Sequence, residues 1–531
     1  MRRLGRIFVV GAGLLLGFVF AESALAQKQG GILRVFHRDS PASMSILEEG
    51  SISAIMPMMG VFNNLVLFDQ HVPQNRVETI VPDLATSWNS NEEGTELTFT
   101  LRDDVKWHDG KPFTAADVKC TYDLLTGRAK EKLRLNYREA WFLNLGEVTT
   151  NGDREVTFHL RRPQPAFISL LASGYSPIYP CHISAREMRT HPIGTGPFKF
   201  LEYKPNQSIK VARNPDYWKP GRPYLDGIEY TIIANRSTAI LAFVAGKFDL
   251  TFPYEVSIPL VKQVKSQAPQ AICEVKPMNG RANLLINPTP PFDSPAMRRA
   301  MQLSLDRKSF IDILGEGQYD VGAVLQPPPE GIWGMPREML EQLTGYGTDV
   351  SKNREEARAL MRSLGYGPDN RLKVKLSARN IPWYRDPAAI LIDQLKEIWI
   401  DGELDAVETA NWVPKLMRKD FTVAMSLSGS AVDDPDTQFY ENYSCRSSRN
   451  YTGCNPEVDT LIERQSAETD PAKRKELVWQ IERKLVDDAV RPIIFFMRQG
   501  TCWQPDLKGL TLMENSIFNS WRMEDVWLDK H

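Results

Sequence analysis

Apolar residues recur along this chain with two distinct periods. In residues 96–102, Leu97, Phe99 and Leu101 share one face, and in residues 155–160 Val156, Phe158 and Leu160 do the same. Alternation of this kind marks strands with one buried face. Asn151-Gly152, between Val148 and Val156, signals a turn. Residues 31–36 (GILRVF) read as a first strand, 61–68 (VFNNLVLF) as a strongly apolar stretch and 491–498 (RPIIFFMR) as a buried strand. Elsewhere the period is helical. Thr114-Ala115-Ala116-Asp117 fits a capping box, with Val118, Tyr122 and Leu125 following on one face. Ser294-Pro295 opens a second helix, because proline's missing N–H has no partner in a first turn. There Met297, Ala300, Met301 and Leu305 point inward, and Arg298 and Arg299 point to water. Further helices fit residues 354–364, 387–399, 457–466 and 471–486. Strands and helices interleave through most of the chain, which predicts mixed α/β lobes. With no repeat, low-complexity tract or long linker, the lobes should pack tightly, with the chain crossing between them.

The N-terminus changes the picture. Arg2, Arg3 and Arg6 precede an uncharged apolar run at 7–20, and Ala24-Leu25-Ala26 gives a small-x-small cleavage pattern. This order predicts a secretory signal peptide over residues 1–26. The run is shorter than the roughly 20 residues that span a bilayer. Gln27 rather than Cys follows the expected cut, so no lipid anchor is implied. The chain is expected in the periplasm. All six cysteines lie beyond the leader, where disulfides form. Cys445 and Cys454 enclose a polar loop, RSSRNYTG, and are the favoured bridge. Cys120, Cys181, Cys273 and Cys502 either pair, Cys120 with Cys181 being one option, or remain buried thiols.

The search for chemistry comes up short of an enzyme. The sequence has no GxSxG, HExxH, GxxxxGK or GxGxxG motif, and Gly194-Thr195-Gly196 reads as a turn entering a strand. Its seven His do not pair at metal-ligand spacing, and His159 falls on the polar face of a strand. A net charge of −2 leaves no electrostatic footprint for nucleic acid. No catalytic residue, metal or cofactor is expected.

Long ordered segments carry a family likeness. They are IVPDLATSW at 80–88, TFTLRDDVKWHDGKPFTAADV at 98–118, GTGPFKF at 194–200, NPDYW at 214–218 leading to GRPYLD at 221–226, and RRA with LDR within 292–307. The chain resembles the family 5 extracellular solute-binding proteins, which serve ABC importers of peptides, nickel and opines. The resemblance implies a two-lobed periplasmic binding protein of type II, cluster C, with an extra domain inserted in lobe one. Lobe one is then placed at 28–70, 190–280 and 495–531, the inserted domain at 71–189 and lobe two at 281–494. The hinge is expected near 277–282 and 491–496. The implied function is capture of a peptide or similar polar solute by lobe closure and delivery to a membrane permease, by a monomer. The alternatives are a binding protein for a non-peptide solute such as an opine, sugar or other metabolite, a secreted hydrolase, and a chaperone or receptor-coupled sensor on the same scaffold.

The resemblance also implies cleft residues. Trp412 matches a tryptophan that precedes a helix in lobe two, and MSLSGSAVDDPD at 425–436 matches a strand-loop ending in Asp-Pro-Asp. Peptide-binding relatives hold the ligand's free amine with an Asp three residues before that motif; here Ala431 stands there. Asp433 or Asp434 would have to substitute, since a buried ammonium needs an anion nearby. Otherwise the ligand lacks a free peptide amine. No His lies in this loop, which disfavours nickel. Tyr254, Arg281, Asn283, Arg379, Trp383, Tyr384 and Met425 complete the candidates.

Overall fold

The computed structural model describes residues 27–530; the expected signal peptide at 1–26 lies outside the described residues. Three main sheets organise them. In the first, Ile32–His37 runs parallel to Gly227–Ile232, which continues antiparallel into Ser208–Arg213 and Phe198–Lys204. The second is antiparallel, in the spatial order Ala85–Ser90, Glu96–Leu101, Glu155–Leu160, Leu145–Asn151. The third runs Ile400–Val407, Leu372–Arg379, Val423–Gly429, Ile272–Ile286, Ile493–Trp503, parallel at one edge and antiparallel at the other.

Two long strands join the lobes. Ile272–Ile286 pairs with Val423–Gly429 only from Gly280 onward. Its first residues pair with the far end of Ile493–Trp503 instead, and Trp503 reaches the first sheet through Leu250 and Val35. The register breaks between Pro277 and Arg281, opposite Phe496 and Arg498, with Asn279 at φ 48°. The ladder is therefore interrupted where the chain passes from one lobe to the other, inside the expected 277–282 window. On the partner strand it falls at the end of the expected 491–496 window and just beyond. A broken register removes cross-strand bonds that would resist bending. The molecule is thus a mixed α/β, two-lobed protein whose lobes meet at two crossing strands.

The alternating segments fold as their pattern requires. Leu97, Phe99, Val156 and Phe158 are buried, and the Phe99 and Phe158 rings meet at 5.6 Å. Helix Ala115–Leu125 covers this face, with Tyr122 edge-on to Phe158 at 4.8 Å. Its capping box forms: the Thr114 backbone N–H donates to Asp117 at 3.0 Å. Asp117 also accepts from the Trp107 indole at 3.3 Å and from the Cys181 N–H at 2.9 Å. The conspicuous WHDGKPFTAAD run is therefore a folding device of turn, buried tryptophan and helix cap. Gly194 and Gly196 are likewise structural, since a Cβ on either would collide with the backbone at Gly60–Phe62. His159 lies between Thr149 and Glu96 on the outer face of its strand.

Helix bounds shift where caps decide them. Pro295–Ser304 starts as expected, with Met297, Ala300 and Met301 buried. Arg299 faces out toward Glu356, but Arg298 folds back onto the carbonyls of Asp488 and Phe292. Asp349, Asn455 and Asp470 cap Val350–Ser363, Pro456–Ala467 and Pro471–Asp488. The helix expected from 387 begins at Pro382, because proline is favoured in a first turn and Pro387 is absorbed into the helix. Of the apolar run 61–68, only Val66–Phe68 is strand. The cysteines form three disulfides, Cys445–Cys454, Cys120–Cys181 and Cys273–Cys502, the last tying the crossing strands together.

Candidate functional site: a cleft between the lobes

Two adjoining cavities run along the interface of the lobes, sharing Gly50, Ser51 and Arg379 in their walls. With their mouths included they hold about 680 and 790 Å³. The first, inner cavity is lined by Arg138, Trp141 and Tyr175, by Met278 and Met497 of the crossing strands, and by Ala431, Glu441 and Arg449. The outer cavity is walled by Glu49, Tyr137, Thr409 and Trp412.

An ion pair closes the join between them. Arg379 ends strand Leu372–Arg379 and Asp39 lies just beyond strand Ile32–His37, so each lobe presents one partner. Their side chains bond with only 5% and 8% exposed. Thr409 bridges them, accepting from Arg379 Nε at 2.8 Å and donating to Asp39 at 3.0 Å. Burial alone would raise the Asp39 carboxyl, but Arg379 and Arg38 hold it well below the usual carboxylate range. Among the described residues nearby Glu49 has only the Ser43 hydroxyl as hydrogen-bond donor, and burial pushes it up to about 7.

The expected residues divide sharply. Arg379, Tyr384 and Trp412 line the cleft, with Tyr384 and Trp412 edge-on at 5.6 Å. Trp412 lies inside helix Thr409–Met417 rather than before it, since Glu408 takes the cap position. Trp383 sits under the Arg236 guanidinium at 4.4 Å, in a separate hollow behind the crossing strands. The other candidates stand outside both cavities, each with a structural reason. Tyr254 is buried, donating its hydroxyl to the Met513 carbonyl. Met425 and Asn283 are enclosed in the third sheet, where Asn283 accepts from Ser428 at 2.7 Å. Arg281 is fully buried against Gln438. Asp434 caps helix Pro435–Asn442 and takes both arms of Arg474 at 2.7 and 2.8 Å. Asp433 accepts the Ile332 N–H at 3.3 Å, and burial raises its carboxyl to about 7.

Sequence reasoning missed the inner cavity's principal residues. Arg138, Trp141 and Tyr175 are each about 2% exposed. The Arg138 guanidinium lies 3.6 Å from the Tyr175 ring centre and 5.0 Å from that of Trp141. Burial lowers its pKa, opposed by Glu441. Arg449 pairs with Glu441. The one legible signal was density: NYREAWF at 136–142 packs arginine among aromatics, and Arg449 sits inside the Cys445–Cys454 loop.

The comparisons with known proteins agree with this architecture. The family model described as bacterial extracellular solute-binding proteins, family 5 Middle, matches residues 79–450. The periplasmic murein peptide-binding protein MppA of Escherichia coli is 26% identical over 92% of this chain and 91% of its own. The oligopeptide-binding protein OppA of Bacillus subtilis is 27% identical over 81% and 82%. Among solved structures, the periplasmic binding protein DppA of Helicobacter pylori, in complex with peptide STSA, superposes with a TM-score of 0.83 at 20% identity, covering 95% of this chain and 99% of that one. Among the described residues no helix is long and apolar enough to cross a membrane. This chain, with a cleft walled by both lobes, belongs to the bacterial extracellular solute-binding proteins of family 5.

Proposed function

We propose that the protein captures a peptide or similar polar solute in the periplasm by closing its lobes, and passes it unaltered to an ABC permease. One observation carries this reading. Two long strands with a broken register link the sheets beside the cavity, which carries paired side chains from each lobe. Ligand favours the closed form through contacts the open form does not offer. The peptide class comes from the relatives, two of which are named for peptides. The separate sheet within residues 85–160 supports an inserted domain at 71–189 between parts of lobe one. The secreted form is taken to begin at Gln27. The test is a thermal-shift screen of the ligand-stripped protein with di- to pentapeptides, amine-blocked conjugates, opines and sugars. A dose-dependent rise with a member of these classes, accompanied by a smaller radius of gyration in solution scattering, is expected. Stabilisation without compaction would refute lobe closure.

A further inference from the structure

We propose that the inner cavity is an oxyanion subsite, in which Arg138, Trp141, Tyr175 and Arg449 receive a carboxylate or phosphate group of a solute that has no free amine at that end. The inference rests on the solute-capture reading above and specifies its ligand.

The first ground is charge. Arg138 and Arg449 line the cavity with a single carboxylate, Glu441, which also acts on the buried Arg281 and Arg491 outside it. Among the described residues only Arg449 forms an ion pair with it. The next carboxyl, Glu482, accepts two backbone N–H groups and is pushed up to about 7 by burial, so it offers only part of a charge. Even with both ionised, four cations face two anions. Burying a charge without a counter-charge is among the costliest arrangements a fold can hold.

The second ground is hydrogen bonding. Arg138 Nε and Nη1, Trp141 Nε1, the Tyr175 hydroxyl and Arg449 Nε all lack partners among the described residues. Guanidinium and indole N–H groups only donate. Buried donors are normally paired, and a group that pairs several at once while carrying negative charge is an oxyanion. Arg138 lies over the Tyr175 ring at 3.6 Å and is flanked by the perpendicular Trp141 ring, which orients its planar fork in advance. The cavity offers an ammonium little. Ala431 contributes a methyl, its carbonyl already accepts from Ser516 at 2.9 Å and Asn519 at 2.7 Å, and Glu441 is taken by Arg449.

The test uses trialanine, N-acetyl-trialanine and N-succinyl-trialanine, which present a cation, a neutral cap and an anion on one scaffold. Malonate and inorganic phosphate at constant ionic strength serve as bare anions, and separate the carboxylate from the phosphate source. Titration calorimetry and thermal shift are run on the full secreted chain after ligand stripping. The succinyl form, or a bare dianion, is expected to bind at least tenfold more tightly than the free-amine peptide. Arg138→Gln should abolish that preference, and Arg138→Lys should retain part of it. If Arg138→Gln does not fold, Arg138→Lys and Trp141→Phe carry the comparison. Binding of free-amine trialanine with no response to succinyl or dianion overturns the inference and leaves solute capture standing. An anion response unchanged by Arg138→Gln and Trp141→Phe also overturns it. No response to any probe overturns the anionic subsite, while a shift with other solutes in the broader screen keeps the capture reading.

Discussion

Asp39→Asn is the sharpest probe of closure. The substitution keeps the side-chain shape and removes the charge that faces Arg379 across the cleft. Arg379 would keep only uncharged partners, the Thr409 hydroxyl among them, and its guanidinium is almost wholly buried. Removing one partner of a buried pair costs about 3–5 kcal/mol, because the survivor stays desolvated. Here that cost should fall on the closed form alone, since parting lobes return both groups to water. At about 1.4 kcal/mol per tenfold change, 3 kcal/mol weakens binding of any stabilising solute by more than ~100-fold. The ligand-free unfolding midpoint should barely move. The paired charge also sets a pH window. Asp39 is held below the ordinary carboxylate range in the closed form, so its contribution to closure is present above the ordinary value the carboxyl regains when the lobes part, and disappears as pH falls through the lower closed-form value. Affinity lost through this pair should therefore be level from pH 5 to 8. Scattering with and without solute, together with calorimetry, reads both effects. An affinity within twofold of wild type, or a large fall in ligand-free stability with affinity intact, would show that the pair does not hold the lobes together.

Other predictions bear on stability and on the aromatic wall. Glu49 and Glu482 are each raised to about 7 by burial, so the native state holds protons the unfolded state has released, and stability should fall as pH rises from about 4.5 to 7. Urea unfolding at pH 5.0 and 7.5 should show the loss, and Glu49→Gln with Glu482→Gln should reduce it, Asp433 supplying the remainder; equal stability at both pH values would contradict this. Replacing Cys273 and Cys502 by Ser opens a link between positions 229 residues apart and should cost about 2–5 kcal/mol in denaturant unfolding. Trp412→Ala removes a 3%-exposed ring packed on Tyr384 and should cost about 3–5 kcal/mol of stability, whereas Trp412→Phe should retain most of it. Matching losses for the two variants would mean that ring contact is not what Trp412 supplies.

The fold was legible because its signals are local. Alternation at Leu97, Phe99 and Leu101 needs only one strand's neighbours to be read, and Thr114 with Asp117 caps a helix within four residues. The disulfide Cys445–Cys454 is local too. The site was only partly legible because a cleft is assembled from distant segments. Arg379, Tyr384 and Trp412 came from the family resemblance, and in the fold they lie at a strand end and in first helical turns that reach the cleft. Asp434 looked like a free anion, since nothing near it in sequence shows that Arg474, forty residues on, takes both its oxygens.

The arginines were the hardest to read, and the reason is general. A single arginine in a polar segment reads as a solvated charge, and that is where most arginines lie. What makes Arg138 unusual is Tyr175 and Trp141 stacked against it and Glu441 claimed by Arg449, a neighbourhood drawn from positions 138 to 449. The same holds for Ala431. As a residue it shows only that a carboxylate is missing from the loop. In the fold it lines the same cavity as an arginine with two nitrogens unpartnered among the described residues. A methyl where an ammonium would need an anion, and an arginine with unmatched donors, both favour a negatively charged solute under the proposed subsite. A loop shift that brought Asp433 or Asp434 into the cleft would undo only half of that. It would also have to break the Arg474 pairing and helix cap that fix Asp434 where it is.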